Sequence, residues 1–132
     1  MLKLLLAASL ATIATAAAAA DYGCQRIKFT CSGFEPNWAF SPAGGGHIKF
    51  SDPENTNRGR PPLVIAACAT QLSASQTSIT AGAPLGLSAT VTHQSCVATN
   101  GMTQPYSISI SYTQGAAGGT PRQVSGTGCC RK

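Results

Sequence analysis

Six cysteines are the residues best placed to do chemistry in this 132-residue chain: Cys24, Cys31, Cys68, Cys96, Cys129 and Cys130. None forms a Cys-x-x-Cys pair, and Cys24 and Cys31 are separated by six residues. That spacing argues against a structural zinc site or a thioredoxin-like redox pair. An even number of cysteines in an exported chain points instead to disulfides. The adjacent pair Cys129-Cys130 adds a constraint. On an extended chain successive side chains point to opposite faces. The two sulfurs are therefore expected to bridge to different partners rather than to each other, since a vicinal bridge strains disulfide geometry.

Acid–base chemistry has little to work with. The chain holds four carboxylates, Asp21, Glu35, Asp52 and Glu54. Only Glu35 has a distinctive setting, in Gly33-Phe34-Glu35-Pro36-Asn37-Trp38. A hydrolytic carboxylate pair is hard to assemble from these. There is no Gly-x-Ser-x-Gly around a nucleophile, and the Gly-rich stretches lack the Lys-Ser/Thr of a phosphate-binding loop. No catalytic residue, cofactor or metal site is expected. Glu35, Trp38 and Tyr106 are the candidate binding residues.

Charge limits the partners. Nine Lys and Arg against four Asp and Glu give a net charge of +5, and removing Lys3 with the leader leaves +4. The basic residues are dispersed, in pairs at 26/28, 58/60 and 131/132. Nucleic-acid binding is not expected from such a pattern in an exported chain. An envelope protein or an anionic envelope polymer is a more fitting partner, set against a solvated basic surface that binds nothing specific.

Export is read from the first 20 residues. Met1-Leu2-Lys3 is a short basic start, residues 4–20 are apolar, and Ala18-Ala19-Ala20 suits a signal peptidase. The 17-residue apolar stretch is short for a membrane span and Ala-rich in its second half. Residues 1–20 are thus expected to be a signal peptide cleaved before Asp21, leaving no transmembrane anchor. Residues 21–132 would form a single small domain, periplasmic or secreted.

The elements that must position these residues are strands. Tyr106, Ile108, Ile110 and Tyr112 alternate with serines, and Leu85, Leu87, Ala89 and Val91 alternate with small polar residues. Ile27–Cys31 and Ile48–Phe50 alternate more briefly. The run Leu63-Val64-Ile65-Ala66-Ala67 fits a strand buried on both faces, and one helical turn is conceivable over 66–74. A short last strand is expected around residues 123–127. Gly- and Pro-containing turns separate the runs, including 41–46, 80–84, Asn100-Gly101 and 114–119, and the polar stretch 51–62 is a loop. The pattern predicts a mainly β protein, a small antiparallel β-barrel or sandwich stapled by disulfides.

Three stretches together carry a family resemblance: Cys31-Ser32-Gly33-Phe34-Glu35-Pro36-Asn37-Trp38; Cys96-Val97-Ala98-Thr99-Asn100-Gly101-Met102 with Tyr106 beyond it; and Gly126-Thr127-Gly128-Cys129-Cys130. The chain resembles a functionally uncharacterised family of small bacterial envelope proteins with a Gly-x-Glu-Pro-x-Trp segment, a Cys-Asp-Gly-Met-like turn, a Tyr-bearing strand and a terminal Gly-Cys. These look related in style to the META domains and to the small β-barrel lysozyme inhibitors. Here two residues are added between Cys96 and Gly101-Met102, and Asn100 stands where the family tends to have Asp. In physical terms, Glu35-Pro36 fixes a bend and Trp38 is large enough to plug one end of a small barrel. Glu35 is positioned to accept backbone N–H bonds across that bend. Asn100-Gly101 suits a hairpin with positive φ, and Cys96 is a plausible partner for Cys129 or Cys130.

The functional expectation is an exported envelope protein acting as a non-catalytic binding or stress-associated module. One alternative is an inhibitor of lysozyme or another envelope-directed hydrolase. Its own positive charge would repel a basic lysozyme. Another is a small hydrolytic enzyme using Glu35 and a histidine.

Overall fold

The computed structural model describes residues 24–35, 37–52, 61–115 and 120–132. The expected signal peptide at 1–20 and the centres of the loops at 53–60 and 116–119 lie outside the described residues. Ten strands follow in chain order: β1 (Thr30–Gly33), β2 (Trp38–Gly44), β3 (His47–Ser51), β4 (Leu63–Gln71), β5 (Gln76–Ala81), β6 (Leu87–Thr92), β7 (Cys96–Val97), β8 (Thr103–Gln104), β9 (Tyr106–Gln114) and β10 (Arg122–Arg131). Eight close into a barrel in the order β1-β10-β9-β6-β5-β4-β3-β2. Every neighbouring pair is antiparallel. β7 and β8 form a separate two-stranded excursion between β6 and β9. Of the two architectures expected, the closed barrel is the one formed.

Alternation fixes which side chains go inside. On β9, Ile108, Ile110 and Tyr112 are buried while the intervening serines face out. On β6, Leu87, Ala89 and Val91 face in. Phe40, Ile48, Phe50, Ile79 and Tyr112 fill the middle, with the Phe50 and Tyr112 rings edge to face at 4.9 Å. Each such large side chain contributes about 1.5–3 kcal/mol by leaving water. The polar outer positions form rows across the strands, as in Ser78, Thr90, Ser109 and Thr127.

Some elements differ from expectation. β4 is buried on one face only. Ile65 and Ala67 point in, while Val64 is 58% exposed and Ala66 lies outside. A continuous apolar run does not reveal which face is covered, and in a small barrel only the inner one is. The segment 66–71 continues β4 rather than turning helically. The last strand extends well beyond 123–127, because β10 pairs with β9 on one side and β1 on the other through both cysteines. Conversely, the alternation at 27–31 becomes a strand only from Thr30. On one side β10 ends at Arg131, opposite Thr30, and on the other β2 shifts register between Pro42 and Gly44, where residues 27–29 would pair, so the ladder does not extend to residues 26–29. They cross the barrel's end instead, burying Ile27 and Phe29, and are held by a backbone bridge between Gln25 and Ala69.

All six cysteines pair. Cys31–Cys130 links directly opposed positions of β1 and β10. Cys96–Cys129 fastens the β7–β8 excursion to β10, and Cys24–Cys68 ties the N-terminal segment to β4. Cys129 and Cys130 thus bridge to different partners, as their adjacency requires. Between β7 and β8, Gly101 takes positive φ (83°) and the Asn100 Oδ1 accepts the Met102 N–H at 2.9 Å. Asn100 itself keeps an ordinary φ, so this is an Asx-type turn and not a doubly left-handed one.

Candidate functional site

Strand direction sorts the candidate residues to opposite ends. β1 and β9 both lie antiparallel to β10, so they run the same way. Tyr106 begins β9 and lies at one end; Glu35 follows β1 and lies at the other. Trp38, at the start of β2, sits near the Glu35 end. The three residues therefore do not converge. Trp38 is 3% exposed, stacked on Phe40 with ring centroids 5.9 Å apart and planes 17° from parallel. Its indole fills the space above Gly33, where a Cβ would collide with it, and offers no surface to a ligand. Its Nε1 has no hydrogen-bond partner among the described residues. Glu35 is exposed in the β1–β2 turn at φ +60°.

The histidines lie away from Glu35. His47 follows the β2–β3 turn, where its Nδ1 is 2.9 Å from the Gly45 carbonyl oxygen. His93 follows β6, at the Tyr106 end. Glu35 and an imidazole share no site. Although His93 stands three residues before Cys96, its ring stacks on Tyr106 while Cys96 is bonded to Cys129. Among the described residues no group of three His, Cys, Asp or Glu is placed to hold a metal ion.

Tyr106 is where chemistry gathers. The crossing segment 25–29, the ends of β4 and β6, the turn before β5 and the last residue of the chain enclose a cavity of about 200 Å³. Its cationic lining is Arg26, Lys28 and Lys132, with His93 beside them. Phe29 and Tyr106 form the apolar wall, edge to face at 5.0 Å and 75°. The Lys132 Nζ lies 5.6 Å from both ring centroids, within cation–π range. His93 covers Tyr106 at 4.9 Å and 31°. The rim is tied down by backbone and side-chain bonds. The His93 N–H donates to the Ser75 carbonyl at 2.8 Å, and the Gln71 Nε2 donates to the Gln76 carbonyl at 3.1 Å. No Asp or Glu lines the cavity among the described residues. Three cationic side chains with no acidic side chain among them favour a positive potential in a concave site, which attracts anions.

The chain matches no family model, no curated protein and no solved structure.

Two other cavities differ in character. One of about 500 Å³ runs beside the Cys24–Cys68 bridge and is walled mostly by small residues such as Ala66, Ala81 and Gly82. One of about 410 Å³ lies on the outer Ser/Thr face beneath the β7–β8 excursion. Apart from Arg26 at the edge of the first, neither is lined by a charged side chain.

Of the residues in the basic pocket, sequence reading singled out only Tyr106. Arg26 and Lys28 were visible as the polar positions of an alternating stretch, and Lys132 as one of two terminal cations. Nothing local announces that they meet. Their meeting follows from barrel closure, which seats β1 against β10 and joins residues about a hundred positions apart through Cys31–Cys130, a separation of 99. Among the described residues, no helix is long and apolar enough to cross a membrane.

Proposed function

We propose that this chain is an exported, non-catalytic binding module of the cell envelope, and that it binds anionic envelope material through the basic pocket at the Tyr106 end of the barrel. The observation that carries the reading is the grouping of Arg26, Lys28 and Lys132 around the Phe29–Tyr106 wall with no described Asp or Glu among them. Three disulfides suit an oxidising compartment outside the cytoplasm. A periplasmic or secreted location further rests on the signal-peptide pattern of residues 1–20, and kinship with the small envelope proteins rests on the Gly33–Trp38, Cys96–Met102 and Gly126–Cys130 stretches. The non-catalytic reading is supported by the separation of Glu35 from both histidines. An inhibitor of a basic hydrolase is disfavoured by a pocket of the same charge as its target.

The test is co-sedimentation of the purified protein with peptidoglycan sacculi and with lipopolysaccharide at low ionic strength. The bound fraction should fall when Arg26, Lys28 and Lys132 are replaced by Ala. It should change little for Lys49→Ala, which removes an exposed charge on β3 away from the pocket. Equal binding by the pocket variants and the unaltered protein would refute the reading.

A further inference from the structure

The size and charge of the pocket restrict what enters it. Small-molecule sites commonly enclose about 300–1,000 Å³. The cavity here is about 200 Å³, room for one compact group rather than an oligosaccharide segment or a large cofactor. Three cations line that volume. A carboxylate brings one negative charge and two oxygens, fewer than the three cationic side chains can engage. A phosphomonoester brings about −1.5 to −2 charges near neutral pH and three acceptor oxygens.

The donors also differ in a useful way. Arg26 offers a planar fork that matches two phosphate oxygens at once, whereas Lys28 and Lys132 act as compact point charges. The Lys132 ammonium rests against two aromatic rings, so part of its surroundings is apolar. An anion meeting it there is less screened than one on an open surface. Among the neutral polar groups nearby, Gln71 is committed to Gln76 through its Nε2 and to the Thr77 hydroxyl through its Oε1.

We propose that the pocket binds a terminal phosphoryl group, a phosphomonoester, held by Arg26, Lys28 and Lys132. The proposal rests on the reading of this pocket as the binding site. The phosphoryl group has two natural sources in an envelope, a phosphorylated saccharide end and a phosphatidic-acid-type lipid headgroup, and both present the same chemistry.

The experiment is isothermal titration of the purified protein, bridges intact, with methyl phosphate, acetate and methyl glucoside at low ionic strength. Methyl phosphate is expected to bind one to one, at least about tenfold more tightly than acetate, with methyl glucoside giving no heat above dilution. Arg26→Ala and Lys132→Ala should each weaken methyl phosphate by about three- to tenfold. Arg26→Lys should recover only part of that loss, because the charge returns without the fork. Ser109→Ala, on the outer face, should leave binding unchanged and serves as the folded control. Glucose 1-phosphate and vesicles of phosphatidylcholine containing phosphatidic acid then separate the sources; binding of either supports the assignment and names its origin. Acetate binding as tightly as methyl phosphate, or charge variants retaining full affinity for methyl phosphate, overturns it. If sedimentation with envelope material depends on the three cations but methyl phosphate neither binds nor competes, the pocket remains the site and the phosphoryl assignment falls. If neither depends on them, both fall.

Discussion

Cys129 and Cys130 are consecutive in the chain, yet they fasten different parts of the molecule: Cys130 is bonded to Cys31 on the opposed strand β1, and Cys129 to Cys96 on the β7–β8 excursion. Both are buried, at 2% and 0% exposure. One dipeptide thus secures the barrel seam and the appendage that lies against it. The third bridge, Cys24–Cys68, is set apart from this pair and holds the segment that carries Arg26 and Lys28.

The separation of roles predicts separable losses. Replacing Cys24 and Cys68 together by Ser should leave the barrel folded, with far-UV circular dichroism and the other two bridges intact. Binding of anionic envelope material should weaken several-fold, because the crossing segment is no longer pinned beside Lys132. Replacing Cys31 and Cys130 together by Ala removes a bridge of separation 99. That should cost about 4–5 kcal/mol by the loop-entropy estimate, read from urea unfolding. By the same estimate Cys24–Cys68, of separation 44, is worth about 4 kcal/mol, so binding and not stability tells the variants apart, and full binding by the folded Cys24/Cys68 variant would contradict the division.

Close approach at the seam makes a second prediction. Gly33 and Gly128 face each other across β1 and β10, and a Cβ on Gly128 would overlap the Ser32 carbonyl oxygen. The obstacle is backbone, which cannot rotate away. Gly128→Ala should destabilise by about 2–3 kcal/mol or prevent the Cys31–Cys130 seam from forming, whereas Gly82→Ala, where a Cβ meets nothing within 4 Å, should be mild. Thermal unfolding of the two variants decides it.

Trp38 offers a third. Its burial against Phe40 and over Gly33 makes it a core residue. Trp38→Ala should cost about 3–5 kcal/mol. Trp38→Phe should cost less, since it also removes an indole N–H that has no partner among the described residues. The native fluorescence should be blue-shifted and resistant to acrylamide quenching, and should not change when anionic ligand is added.

Glu35 supplies a prediction of opposite sign. A non-glycine residue at φ +60° carries a steric cost of about 1–2 kcal/mol, offset in part by the greater freedom glycine has when unfolded. Glu35→Gly should therefore stabilise by about 0.5–1 kcal/mol, raising the unfolding midpoint by a few degrees. A lower midpoint would show that the carboxylate makes a contact worth more than the relieved strain.

Much of this fold was legible because a barrel of antiparallel strands writes its inside and outside in alternate residues. β9 and β6 are plain examples, and the Cys129-Cys130 adjacency alone demanded two different partners. What stayed hidden depends on neighbours far along the chain. Val64 and Ala66 are apolar, so composition could not tell that they face solvent. Ile27 and Phe29 alternate like a strand but lie beyond the end of β10 and beside the irregular stretch of β2 at Pro42–Gly44. The basic pocket was least visible of all, since its cations come from the two ends of the chain and are dispersed until β1 closes on β10. Glu35, Trp38 and Tyr106 drew attention by residue type, and the strand directions separate Tyr106 from the other two.

The most direct measurement is a nitrogen–proton correlation spectrum of the labelled protein during addition of methyl phosphate. The account predicts saturable shifts at Arg26, Lys28, His93, Tyr106 and Lys132, fading as salt is raised. Shifts centred on Glu35 and its turn or on the Ser78–Thr127 row, with the Tyr106 end silent, would contradict it.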